Sequence, residues 1–255
     1  MTNKALLKWQ MEMGADEAIS DQPRNYFAPS SLRANSEAIQ FEPKKEKLDR
    51  HASSSLRVTT SSQGDRYSSL AELESAVRAF DGCGLKKTAQ KTVFADGNPK
   101  APLMIIGEAP GADEDVQGIP FCGVSGKLLD KMLAAIGYDR ASNVYITNTV
   151  FWRPPGNRQP STEETAICQS FVEQHIALIA PRLLLLAGGV ATKALLGREE
   201  SMGRLRGQTY SYQNGYMPAP VPTMVTYHPS YLLRQPSQKR LAWEDMLMAK
   251  QLLSR

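Results

Sequence analysis

The chain lacks any apolar run of the ~20 residues that a bilayer-spanning helix requires, and it does not begin with a basic stretch followed by an apolar one. A membrane-spanning helix and a secretory leader are therefore not expected, and the sequence reads as soluble and cytoplasmic. Cysteine is scarce: Cys83, Cys122 and Cys168 are the only three, too few for a disulfide framework and suited to a reducing compartment. A strong excess of one charge is also missing. The 30 Lys and Arg against 26 Asp and Glu leave +4, which permits a nucleic-acid partner without arguing for one. There is no internal repeat, no G-x-G-x-x-G dinucleotide fingerprint and no Gly-Lys-Ser/Thr of a phosphate-binding loop.

What is present is alternation. Residues 102–107 (PLMIIG), 144–150 (VYITNTV), 183–188 (LLLLAG) and 222–228 (PTMVTYH) read as buried strands. Amphipathic stretches lie between and after them, at 125–137, 162–180, 189–197 and 240–253. Leu70, Leu73, Val77 and Phe80 form an earlier helical pattern. Ser161 or Thr162 is a cap for the second stretch, with acids in its first turn. Strands alternating with helices predict a three-layer α/β/α sandwich around a central, mostly parallel four-stranded sheet. The length of 255 residues fits one such domain, over 69–255, with an appendage. In the appendage, residues 1–19 predict a short helix in which Ala5, Trp9 and Met13 recur at four-residue spacing. It either docks on the domain or serves a protein partner. Residues 20–68 are rich in Ser, Pro, Gln and charge and predict a flexible linker.

Ligands of such folds bind at the carboxyl ends of the strands. The polar punctuation falls there: Glu108 after the first strand, Asn148 near the end of the second, Gly188-Gly189 after the third and His228 after the fourth. Each alone has a plain use, as a surface acid, a turn amide or a loop imidazole. Together they make a candidate site.

The segments GEAPGADEDVQGIPF (107–121), VYITNTVFWRPPGNRQP (144–160) and HPSYLLRQPSQKRLAWED (228–245) resemble the signature segments of family 4 uracil-DNA glycosylases, in the family's order and spacing. The resemblance implies an enzyme that flips uracil from DNA and hydrolyses its N-glycosidic bond, as the first step of base excision repair. It implies Phe121 as the ring that stacks on the base and Asn148 as the amide that reads uracil O4 and N3–H. It implies His228 as the donor to uracil O2 and Glu108 as the carboxylate that orients the attacking water. In another branch of the superfamily the acid stands one residue later, where this chain has Ala109. Gly107, Ala109, Gly111, Asp115 and Ser230 complete the expected substrate-binding set, and Glu114 and Asp115 are secondary acids. Residues 228–234 are expected to form a loop that enters the duplex, with Tyr231 and Leu232 as wedges. Arg153, Arg158 and Arg234 are expected on phosphates, with Lys239 and Arg240 as further candidates.

One departure from the family is plain. Its 4Fe–4S cluster needs four thiolates. The matching positions here are Phe80, Cys83, Trp152 and Cys168. Cys122 belongs to the Phe121 segment and is expected to be too remote to substitute. No metal and no cofactor are therefore expected, with aromatic packing in place of the cluster, and the protein is expected to be a monomer. Two alternatives remain: a non-catalytic DNA- or nucleotide-binding module on the same fold, and a glycosylase for another deaminated base such as hypoxanthine or xanthine.

Overall fold

The computed structural model describes residues 66–254. The expected N-terminal helix and all but the last residues of the expected linker lie outside them.

The helices form where capping and apolar spacing coincide. Helix α1, Leu70–Ala79, starts at Ser69, whose side chain accepts from Glu72 N, and buries Leu73 and Val77. Helix α2, Ala112–Gln117, is short and stops at Gly118, and α3, Val124–Ile136, stops at Gly137 in the left-handed region (φ 84°). Helix α4, Thr162–Ile179, begins with a capping box in which Ser161 and Glu164 satisfy each other's backbone N–H groups. Helices α5 (Gly189–Leu196), α6 (Met202–Leu205), α7 (Pro229–Arg234) and α8 (Lys239–Leu253) complete the set.

The sheet has six strands: β1 Asp96–Gly97, β2 Leu103–Gly107, β3 Val144–Asn148, β4 Leu183–Ala187, β5 Thr209–Tyr212 and β6 Val221–Thr226, in the order β1-β3-β2-β4-β6-β5. The four expected strands are the parallel centre, β3-β2-β4-β6, and two antiparallel edges extend it. The central strands are apolar without a break because helices cover both faces. Alternate residues divide between two cores. Leu103, Ile105, Leu183 and Leu185 meet Leu129 and Met132 of α3 and Trp243 and Met246 of α8. Met104, Ile106, Leu184 and Leu186 meet Leu73 of α1 and Cys168, Val172 and Ile176 of α4. His175 belongs to this second core. Tyr145 Oη lies 2.8 Å from its Nε2 and Phe94 stacks on its ring, and burial lowers its pKa to about 3.

The register aligns the carboxyl ends. Gly107 pairs with Asn148, Ile106 with Leu186, and Ala187 with Thr226. The residues that follow these positions therefore emerge along one edge of the sheet. Among the described residues, no helix is long and apolar enough to cross a membrane.

Candidate active site

Gly107 is the floor of the site. A Cβ there would stand 2.6 Å from Phe121 Cε2 and 2.5 Å from Asn148 Oδ1, so only glycine lets the ring and the amide converge. Asn148 is 1% exposed, and its Oδ1 has no hydrogen-bond partner among the described residues. An unsatisfied buried acceptor costs about 1–3 kcal/mol. The cost is recovered when a donor arrives.

Phe121 is buried and lies 5.4 Å, ring to ring, from His228 at a tilt of 31°. Its backbone is left-handed (φ 52°), a state that costs a non-glycine residue about 1–3 kcal/mol. His228 caps α7: its Nδ1 accepts from Ser230 N at 3.2 Å and lies 2.8 Å from Ser230 Oγ. A ring nitrogen that accepts an N–H carries no proton, so the neutral imidazole keeps its hydrogen on Nε2. Burial, and then the positive charge of Arg234, lower the His228 pKa to about 4. Gly188 (φ 98°) admits this residue closely: a Cβ on Gly188 would lie 3.1 Å from His228 Cβ.

Glu108 follows β2 directly and is half-buried. Burial raises its pKa, and Arg234 opposes the shift. Arg234 thus acts on both titratable groups of the site. The Glu108 backbone is pinned from β3, where Thr149 Oγ1 donates to Glu108 O at 2.6 Å and Thr149 N donates to Gly107 O at 3.0 Å. Glu114 ties the Glu108 turn to the Phe121 segment, accepting from Gly111 N at 3.1 Å and Gly123 N at 3.0 Å. Sequence spacing gave no sign of Thr149, and Glu114 was only a secondary acid there. Both act through backbone groups.

Gly107, Glu108, Phe121, Asn148, His228 and Ser230 are therefore brought together, with Ala109 and Gly111 in the turn beside Glu108. Other expected site residues are turned elsewhere. Asp115 is 2% exposed and accepts from Gln90 N at 2.8 Å and Lys91 N at 3.3 Å, so it ties down that segment instead of meeting a substrate. Arg158 holds Glu164 through two bonds of 2.8 and 2.6 Å. Arg153 donates to Asn157 Oδ1 at 2.7 Å and lies 3.9 Å from Asp115. Both guanidinium groups are engaged within the chain, and the Arg158 side chain remains 48% exposed. Residues 228–234 form a helix turn instead of the expected loop, because Pro229 is preset for the first helical position. That phase buries Leu232 completely and presents Leu233, which is 41% exposed. Tyr231 stacks on Tyr227 at 5.1 Å. Arg234 is exposed, and Arg240 pairs with Glu244.

The four positions that match the family's cluster ligands do meet, in the second core. The Phe80 and Trp152 rings stack at 6.5 Å, and Phe80 meets Phe171 edge-on at 5.1 Å. Cys83 and Cys168 are buried, and the hydrogen bond between their thiols lowers the Cys83 pKa. Trp152 is 1% exposed and its Nε1 donates to Thr92 Oγ1 at 3.1 Å. Two aromatic rings without a donor to iron, beside two thiols that bond to each other, do not fit a four-thiolate cluster. Cys122 stands on the Phe121 segment, where burial and then the charges of Glu114 and Asp113 in α2 raise its pKa.

An acid, an amide and an imidazole thus stand at the ends of β2, β3 and β6 of one α/β sheet. The model of the uracil DNA glycosylase superfamily matches residues 94–249, and the chain belongs to that superfamily. Within it the chain is of the type-4 kind. It is 37% identical to the type-4 uracil-DNA glycosylase of Pyrobaculum aerophilum over 70% of this chain and 92% of the relative. The type-4 uracil-DNA glycosylase of Thermotoga maritima is 35% identical over the same shares of each chain. That of Saccharolobus solfataricus is 37% identical over 70% of this chain and 83% of the relative.

Gly107→Ala tests the geometry. The added methyl must displace either the ring or the amide, and misplacement of about 1 Å costs about 10²-fold in rate. Catalytic efficiency measured on substrate DNA should fall by that factor, and the thermal midpoint should fall too because the methyl overpacks a buried site.

Proposed function

We propose that this uracil-DNA glycosylase is a monofunctional repair enzyme that flips uracil from DNA and hydrolyses its N-glycosidic bond, leaving an abasic site. The observation that carries the reading is the orphaned Oδ1 of Asn148 beside the Phe121 ring. Uracil N3–H supplies the missing donor, and uracil O4 accepts from the same carboxamide. Cytosine presents an amino donor at position 4 and has no proton on N3, so it mismatches both amide groups. His228 Nε2–H donates to uracil O2, where negative charge collects as the C1′–N1 bond breaks. Glu108 orients a water at C1′, takes its proton and faces the developing oxocarbenium. Water adds to C1′, the bonding pair leaves with N1, and the departing base is protonated from solvent.

Leu233 replaces Leu232 as the wedge candidate, with Arg234 next to it toward the phosphates. Inserted apolar side chains unstack a base step at a cost of a few kcal/mol, so the benefit belongs to duplex substrates. Leu233→Ala should slow excision from double-stranded DNA more than from single-stranded DNA. Equal losses on both would remove the wedge role.

Activity in this reading needs no iron. Purified protein should carry no stoichiometric iron, and a chelator should leave both the thermal midpoint and excision unchanged. In this reading the domain acts as a monomer in the cytoplasm. The test of function is cleavage of single- and double-stranded oligonucleotides containing uracil, with hypoxanthine and xanthine as competitors and iron assayed in the same preparation. Abasic product at uracil from iron-free protein supports the reading. Folded protein that binds uracil sites without forming product would make it a binding module.

A further inference from the structure

The Phe121 backbone is left-handed at a residue with a full side chain (φ 52°). The chain there is also pressed from below. A Cβ on Gly126, in the first turn of α3, would stand 2.8 Å from Phe121 Cα. Something has to hold this segment against relaxation into an ordinary conformation.

One side chain gathers its carbonyls. Arg140, in the connection between α3 and β3, donates from Nη1 to Pro120 O at 2.7 Å and from Nη2 to Phe121 O. The guanidinium is itself anchored on both sides. Nη1 lies 3.1 Å from Asp96 Oδ2 in β1, and Nε lies 2.7 Å from Asp130 Oδ1 in α3. The Arg140 side chain is only 17% exposed. The planar fork thus joins two backbone carbonyls of the stacking segment to two carboxylates of the rigid scaffold. Lysine can supply the charge but not this geometry.

We propose that Arg140 is a positioning residue for base recognition: its guanidinium fixes the Pro120–Phe121 carbonyls and so sets the height and tilt of the Phe121 ring over the base. The proposal rests on the reading of the site as a uracil pocket. It assigns Arg140 an effect on base binding that passes through Phe121 alone.

The test is a double-mutant cycle on excision kinetics, read with amide hydrogen exchange of residues 121–123. Arg140→Ala should raise KM about tenfold with kcat nearly unchanged, since stacking is weakened while Glu108 and His228 stay in place. Arg140→Lys should resemble Arg140→Ala, because the fork and not the charge is at issue. In the Phe121→Ala background, Arg140→Ala should add nothing further to KM. Exchange at 121–123 should quicken in both Arg140 variants. If Arg140→Ala does not fold, Asp130→Ala removes one anchor and should give the same pattern in smaller degree. Multiplicative effects of the two substitutions, or unchanged exchange at 121–123, would overturn the proposal. Wild-type protein that excises no uracil would instead overturn the pocket reading, while the exchange measurement would still decide whether Arg140 holds the segment.

Discussion

Glu108→Gln is expected to lower kcat for uracil excision by about 10²–10⁴-fold, the usual contribution of a positioned general base. The amide keeps the shape and hydrogen-bonding reach of the side chain but cannot take a proton or face a cation with negative charge. Binding of uracil-containing DNA should survive, because Phe121 and Asn148 are untouched. The pH dependence carries a sign that can be checked. Burial raises the Glu108 pKa above the ordinary carboxylate value, and the charge of Arg234 holds part of that rise back. The working form is the ionised one, so activity should climb with pH through the raised pKa, with its acid limb above the ordinary 4.5. Arg234→Gln removes the opposing charge and should move that limb further up, and Glu108→Gln should abolish it. Stability follows the same linkage. A carboxylate whose folded pKa is raised opposes folding once ionised, so Glu108→Gln should raise the thermal midpoint at neutral pH. A limb that stays put in Arg234→Gln, or persists in Glu108→Gln, would place the titrating base elsewhere.

The sequence made the centre of the fold legible because burial on both faces writes a strand as an unbroken apolar run, as in LLLLA of β4. The edges left no such mark. β1 is two residues long, and β5 alternates exposed and covered positions in TYSY. The site divides in a similar way. Glu108, Asn148 and His228 could be read because each is a polar residue at the end of an apolar strand. Thr149, Glu114 and Arg140 act on backbone groups at sequence separations of 41, 9 and 19, which no local pattern encodes. Which leucine of the segment is exposed was hidden for a different reason. HPSYLLR names the residues but not their phase, and the face each leucine takes was set only when Pro229 started a helix. The cluster positions were legible from spacing to the family's thiolates. That the substituted rings stack on each other, and that the remaining thiols bond together, needed coordinates.

His228→Ala is expected to lower kcat by about 10²–10³-fold, the loss seen when one preorganised donor to a developing anion is removed. The geometry specifies which form of the ring does the work. Ser230 N donates to Nδ1, so the hydrogen stays on Nε2 and the imidazole acts as a neutral donor. The pKa near 4 keeps it neutral at every pH where Glu108 is ionised, so His228 should contribute no limb of its own between pH 5 and 8. Ser230→Ala removes the hydroxyl partner but not the backbone N–H, and should cost less than His228→Ala. The decisive comparison varies the leaving group. A uracil carrying fluorine at C5 yields a more stable anion and asks less of the donor at O2. The gap between wild type and His228→Ala should therefore narrow on the fluorinated base. Glu108 acts on the sugar and the water, so the gap between wild type and Glu108→Gln should narrow much less. If both gaps respond alike, His228 is not stabilising the departing base, and its contact with Phe121 would be the part of its position that matters.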